Sequence, residues 1–219
     1  KKKYQRTRYA RAGRHTERGG RYPSAVPALA GAEALGAANS VAVAGNLLAV
    51  AVEADTKQDN GYVALYQTDG TFLSATEAGA LPDMLAFTPD GNTLLVANEG
   101  EPNGDYSVDP EGSITLIDLT GGAGNPVGRT LRFTDFNTGG SKTLGADVRI
   151  SAKSASIAQD IEPEFITVSA DGSTAWVALQ ENNALAVVDV AAGEISAVIG
   201  LGYRTYAESE EGQQCRTGL

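Results

Sequence analysis

The stretch PDMLAFTPDGNTLLVANEGE at residues 82–101 returns as PEFITVSADGSTAWVALQEN at 163–182, aligned without a gap at an offset of 81. Pro, Asp-Gly, Thr and Val-Ala stand at matched places in the two copies. In each copy apolar residues alternate up to an Asp-Gly pair (Asp90-Gly91, Asp171-Gly172) and a second β-rich run follows, which is the signature of a hairpin. A weaker copy, SVAVAGNLLAVAVE at 40–53, turns at Gly45-Asn46 and ends on the same acid after an apolar run. Three copies of one pattern make the chain a repeat protein.

Two further β-rich runs follow every hairpin: 61–70 with 71–76, 113–122 with 128–133, and 184–193 with 194–199. Each unit therefore reads as a four-stranded antiparallel meander of roughly 40 residues, the size of a β-propeller blade. The expected class is all-β, a propeller fragment of about three four-stranded blades. A sandwich or barrel of short strands is compatible with the same local signals. The blades fall at 37–79, 80–133 and 162–200, inside a partial propeller spanning 31–202, with an unpatterned excursion at 134–160.

Residues 1–30 carry charge, Gly and Pro without strand alternation or helical period, and read as a disordered basic tail; 203–219 loses the pattern again and reads as unstructured. Residues 1–21 hold nine Lys and Arg against one Glu, while the remainder holds eight against 26 Asp and Glu. An acidic body of that kind is unsuited to nucleic acid, whose phosphates need a basic surface. Only the basic arm, with Tyr4, Tyr9 and Tyr22, has the composition for it. The one histidine, His15, lies in that arm, so the body holds no histidine-based triad or metal cluster. Cys215 has no second cysteine to pair with. No apolar run is long enough to span a membrane as a helix, and no secretory signal follows the basic start.

The offset between the second and third copies drops from 81 to 71 at the third strand, so ten residues are inserted within NEGEPNGDYSVDPEG at 98–112. In a meander the start of the first strand and the end of the second share an edge, opposite the hairpin turn. Asp83 and Glu164 at first-strand starts should therefore share a face with Glu53 and Glu99 at second-strand ends. The insertion adds Asn98, Glu101, Asp105, Asp109 and Glu111, and the 134–160 excursion reaches the same face. Crowded carboxylates raise one another's pKa unless a cation neutralises them. Ca²⁺, which takes six to eight oxygens, suits this set, although the spacing is not that of an EF-hand loop. A solvated acidic rim is the alternative.

LAVAVEADTKQDNGYVALYQTDG (48–70), LLVANEGEPNGDYSVDPEGSITLIDL (94–119) and QDIEPEFITVSADGSTAWVALQENNALAVVDVAAGEI (159–195) resemble the choice-of-anchor I domain, a YVTN/LVIVD-like bacterial surface propeller. The resemblance covers about residues 38–202, and the NEGEP…DY..DPEG and DIEPE segments are its most specific parts. It implies an extracellular, cell-surface or periplasmic domain, seven-bladed when complete, of which this chain carries about three blades. The expected function is a binding or scaffold module for an unidentified surface ligand or protein partner, with Ca²⁺ on its acidic face. The alternative, drawn from labels used for the family, is a metal-dependent, alkaline phosphatase-like phosphoesterase. Open ends of a partial propeller are also expected to favour self-association.

Overall fold

A computed structural model describes residues 35–151 and 155–203. The basic tail at 1–30, and the terminal stretch beyond Tyr203 with Cys215, lie outside the described residues.

The three meanders form as the repeat pattern requires. Blade 1 comprises β1 (Leu35–Ala44), β2 (Leu47–Ala54), β3 (Asn60–Gln67) and β4 (Phe72–Ala80). Blade 2 comprises β5 (Pro82–Phe87), β6 (Thr93–Asn98), β7 (Ser113–Asp118) and β8 (Val127–Arg132). Blade 3 comprises β9 (Pro163–Val168), β10 (Thr174–Leu179), β11 (Ala184–Asp189) and β12 (Glu194–Gly200). Each is a four-stranded antiparallel sheet whose strands pair in chain order. The first strands pack on one another, β1 on β5 and β5 on β9, while β4 neighbours β8 at the outside. This is the radial arrangement of a β-propeller: an all-β array of three blades with first strands innermost.

The hairpin turns reuse one device. Asp90 accepts hydrogen bonds from the Thr88 hydroxyl (2.6 Å) and the Asn92 amide (3.0 Å), and Asp171 does the same with Ser169 (2.6 Å) and Ser173 (3.0 Å). Gly91 and Gly172 follow at φ 72° and 75°, a conformation that costs a residue with a β-carbon. These bonds hold both carboxyls below the ordinary range, Asp171 at about 2.

Strand alternation then sorts side chains onto two faces of each sheet. In blade 3 one face carries the row Ile166, Val177, Ala186 and Val198, which packs on blade 2. In blade 2, Leu94, Val96 and Ile117 face blade 1, whereas Leu95, Ala97 and Leu116 face blade 3. The core is thus two apolar seams between blades. A polar patch interrupts the first: Asn98 donates to the Thr115 hydroxyl (2.9 Å) and the Ser113 hydroxyl (3.2 Å), all three buried, and its Oδ1 is without a partner among the described residues.

The excursion between blades 2 and 3 holds no strand among its described residues. It contributes a 3₁₀ turn at Thr134–Phe136 and the short helix α1 (Ile157–Asp160), whose start is fixed by a Ser156–Gln159 capping box. Phe133, Phe136 and Ile161 are buried against blades 2 and 3. Gly145 donates its amide to the Val198 carbonyl (2.8 Å), so the excursion covers part of the outer edge of β12.

Candidate functional site: an acidic face

The edge opposite the Asp-Gly turns is built as the meander dictates. Pro82 at the start of β5 pairs with Asn98 at the end of β6, and Pro163 pairs with Leu179 in blade 3. The chain leaving β6 is held to the β4–β5 corner by Glu99 N–H to Leu81 O (2.9 Å) and Gly100 N–H to Ala80 O (3.1 Å). Asn39 of β1 bridges the first strands by donating to Pro82 O (3.1 Å) and Glu53 (3.3 Å). The mouth of a cavity of about 410 Å³ opens at this edge between Asn39, Asp83, Glu164, Phe165 and Gln180.

Charge accumulates around that mouth. Burial pushes Glu99 up to about 7, reinforced by Glu101, Asp83 and Glu181, and only Lys57 opposes the rise. Burial, then Glu181, Glu99, Glu101 and Asp160, bring Glu162 to about 7. Glu164 reaches about 8 through burial, a hydrogen bond to Glu181, and repulsion from Glu181, Glu99 and Asp83. Asp83 is raised by burial, with Lys57 opposing. Such interlocked groups titrate as a set, in successive steps, because a proton bound by one relieves the repulsion that holds protons on its neighbours.

A second cavity of about 570 Å³ adjoins this set, where the insertion meets the excursion. Asp109, Arg149, Asp160, Glu162, Glu181 and Tyr106 line it. Gln159 ties the two segments by donating to Asp109 O (2.8 Å), as does Gly112 N–H to Ala158 O (3.0 Å). Asp160 accepts from the Ser151 amide (3.0 Å) and from Asn182 Nδ2 (3.0 Å). Asp109 is raised by burial and then by Asp160, and its buried Oδ1 is without a hydrogen-bond partner among the described residues.

The expected site residues divide accordingly. Asp83, Glu99, Glu101 and Glu164 act on one another as a single electrostatic group. Glu53 stands beside it, already served by the Ala37 amide (3.2 Å), Asn39 and Lys57 (3.7 Å). Asp109 belongs to the second cavity. Glu111 is paired with Arg132 (3.1 Å). Asp105 is spent on a turn, accepting from the Ser107 amide (3.1 Å) and hydroxyl (2.7 Å), which lower its carboxyl. Asn98 points into the seam between blades 1 and 2. Sequence reasoning missed Glu162 and Glu181. Glu162 stands in the DIEPE segment; Glu181 matches Gly100 in the other copy, so the repeat carried no signal for it.

The donors are all oxygen, as a hard cation requires. Among the described residues, no three carboxylate, histidine or cysteine side chains converge closely enough to form a metal cage. The face is a field of half-buried carboxylates around two openings. No helix among the described residues is long and apolar enough to cross a membrane.

No curated protein matches the chain in sequence. Among solved structures, it is similar to Kuenenia stuttgartiensis hydrazine synthase at 15% identity, covering 69% of this chain and 39% of that one with a TM-score of 0.43. It is similar to the Cps50 (Swd1) β-propeller domain of Myceliophteria thermophila at 10% identity, over 76% and 44% of the two chains, with a TM-score of 0.47. The β-propeller domain of the trilobed protease from Pyrococcus furiosus gives 10% identity, 76% and 42% coverage and a TM-score of 0.42. The chain spans less than half the length of each of these structures. The family model of the choice-of-anchor I domain matches residues 16–213, and the chain belongs to that family.

Proposed function

We propose that this chain is a binding module of an extracytoplasmic, surface-associated propeller, and that its acidic face takes a cation, with Ca²⁺ the leading candidate. The observation that carries this reading is the set Glu99, Glu162 and Glu164, held near 7, 7 and 8 by burial and mutual repulsion. A cation relieves both costs at once, because it replaces lost hydration and cancels like charge. The spread of the carboxylates suits a Ca²⁺ that keeps part of its water shell, since Ca²⁺ accepts mixed water and carboxylate ligation. The same field disfavours phosphate esters, which argues for binding rather than phosphoester hydrolysis. Family membership supports the surface location.

Thermal melts with and without Ca²⁺ at matched ionic strength test the reading. A ligand selective for the folded state stabilises it by about 2.7 kcal/mol at a hundredfold excess over its dissociation constant. The gain should be present at pH 8 and shrink at pH 5, where protons occupy the same carboxylates. Glu99→Gln combined with Glu164→Gln should remove it, while Asp90→Asn in the opposite hairpin turn should leave it intact. Equal melting with and without Ca²⁺ at pH 8 would sink the proposal.

A further inference from the structure

Arg149 and Asp109 line the same cavity of about 570 Å³, where the insertion meets the excursion, and neither forms an ion pair among the described residues. Three other cations are paired with carboxylates: Lys57 with Glu53 (3.7 Å), Arg132 with Glu111 (3.1 Å) and Lys142 with Glu194 (3.7 Å). Arg149 shares its cavity with Asp109, Asp160, Glu162 and Glu181 and pairs with none of them. Its place is fixed by the backbone. Arg149 N–H donates to Asn182 O (2.8 Å), its carbonyl accepts from the buried Asn182 Nδ2 (3.0 Å), and its Nε donates to the Glu181 carbonyl. The two terminal nitrogens of the guanidinium keep their N–H groups free among the described residues, in the fork that receives a carboxylate.

Asp109 supplies the opposite pole. Its Oδ1 is buried without a partner among the described residues, a cost that a donor on a ligand would remove. Gln159 holds the carbonyl of the same residue (2.8 Å), which fixes the backbone behind the carboxylate. Pro102 and Tyr106, the latter 70% exposed, add apolar surface to the lining. A bare divalent ion answers neither observation: no three carboxylates converge into a cage among the described residues, and a guanidinium in the wall repels it. The cavity has the size of a small organic ligand. Four carboxylates to one guanidinium call for a ligand with more positive charge than negative.

We propose that this cavity binds a basic amino acid of the lysine type, with its carboxylate on the Arg149 guanidinium, one ammonium on Asp109 and the other between Glu162 and Glu181. The methylene chain lies along Pro102 and Tyr106. The site shares only Glu162 with the cation site proposed around Glu99 and Glu164, and does not depend on it.

Isothermal titration calorimetry of the chain with L-lysine, at pH 8 in a buffer containing a chelator, tests the assignment. A single site is expected. Cadaverine, which is lysine without its carboxylate, should bind about tenfold to a hundredfold more weakly, the loss of one charge-assisted contact. Arg149→Met should erase the preference for lysine without weakening cadaverine, whereas Asp109→Asn should weaken both. Glu99→Gln combined with Glu164→Gln should leave lysine binding in place, so this proposal and the Ca²⁺ proposal can fail separately. Absence of lysine binding to the folded wild type would overturn the assignment. Equal binding of lysine and cadaverine would overturn it too, since the cavity would then act as a plain acidic surface, and so would an Arg149→Met variant that still prefers lysine.

Discussion

Glu164 stands among carboxylates that resist losing their protons, and this ties the stability of the array to pH. The folded values of Glu99, Glu162 and Glu164 lie above their ordinary 4.5, so the folded chain binds more protons than the unfolded one. Stability is therefore undiminished below about 4.5, falls as pH rises toward 7 and 8, and carries the whole penalty above that. Glu164→Gln should raise the melting temperature at pH 8 by about 2–4 °C, equivalent to about 1 kcal/mol or less once solvent screening is allowed for. It should change nothing at pH 4, and melts at the two values check both halves. Much of this group could be read in advance, since meander topology alone puts Asp83, Glu99 and Glu164 on one edge. Other residues could have been sorted by local rules left unused. Asn98 shares the strand parity of Leu94 and Val96 and so faces a seam, and Asp105 two places before Ser107 is a turn pattern. The pairing of Glu111 with Arg132 bridges 21 residues, and no local pattern announces it.

At the level of elements, the strands and Asp-Gly turns were legible because their determinants lie within a few residues, in alternation and in the φ-positive glycine. The insertion and the excursion were not, because what orders them is their contact with each other across about 50 residues of chain. Gly112 is the tightest point of that contact. A β-carbon there would overlap the Ile161 carbonyl oxygen and press on the Pro163 ring, both at the entry to blade 3. Backbone cannot yield as a flexible side chain can, so Gly112→Ala should cost about 1–3 kcal/mol. Chemical denaturation measures it. Cleavage by added protease within 98–112 should accelerate in the same variant, because the mutation releases the insertion from α1.

The array as a whole is held by two unequal seams. Between blades 2 and 3, with the excursion folded in, 18 apolar residues are buried, against ten between blades 1 and 2 among the described residues. At about 1.5–3 kcal/mol for each large apolar side chain, that difference outweighs any surface ion pair. The weaker seam also contains the Asn98–Ser113–Thr115 patch, where the buried Asn98 Oδ1, without a partner among the described residues, leaves a desolvation cost uncompensated. Hydrogen exchange should therefore show amides of β2 and β3 opening at lower free energy than those of β10 and β11. Equal protection in the two blades would contradict this. Number of blades and their order followed from the repeat, but the ranking of the seams did not, since it depends on Phe133, Phe136 and Ile161 arriving from a segment without pattern. The polar patch has a mechanical consequence as well. A chain stretched between its two ends would give way at blade 1 while blades 2 and 3 stay joined, lengthening in a first, soft step that absorbs load before the stiffer pair is touched.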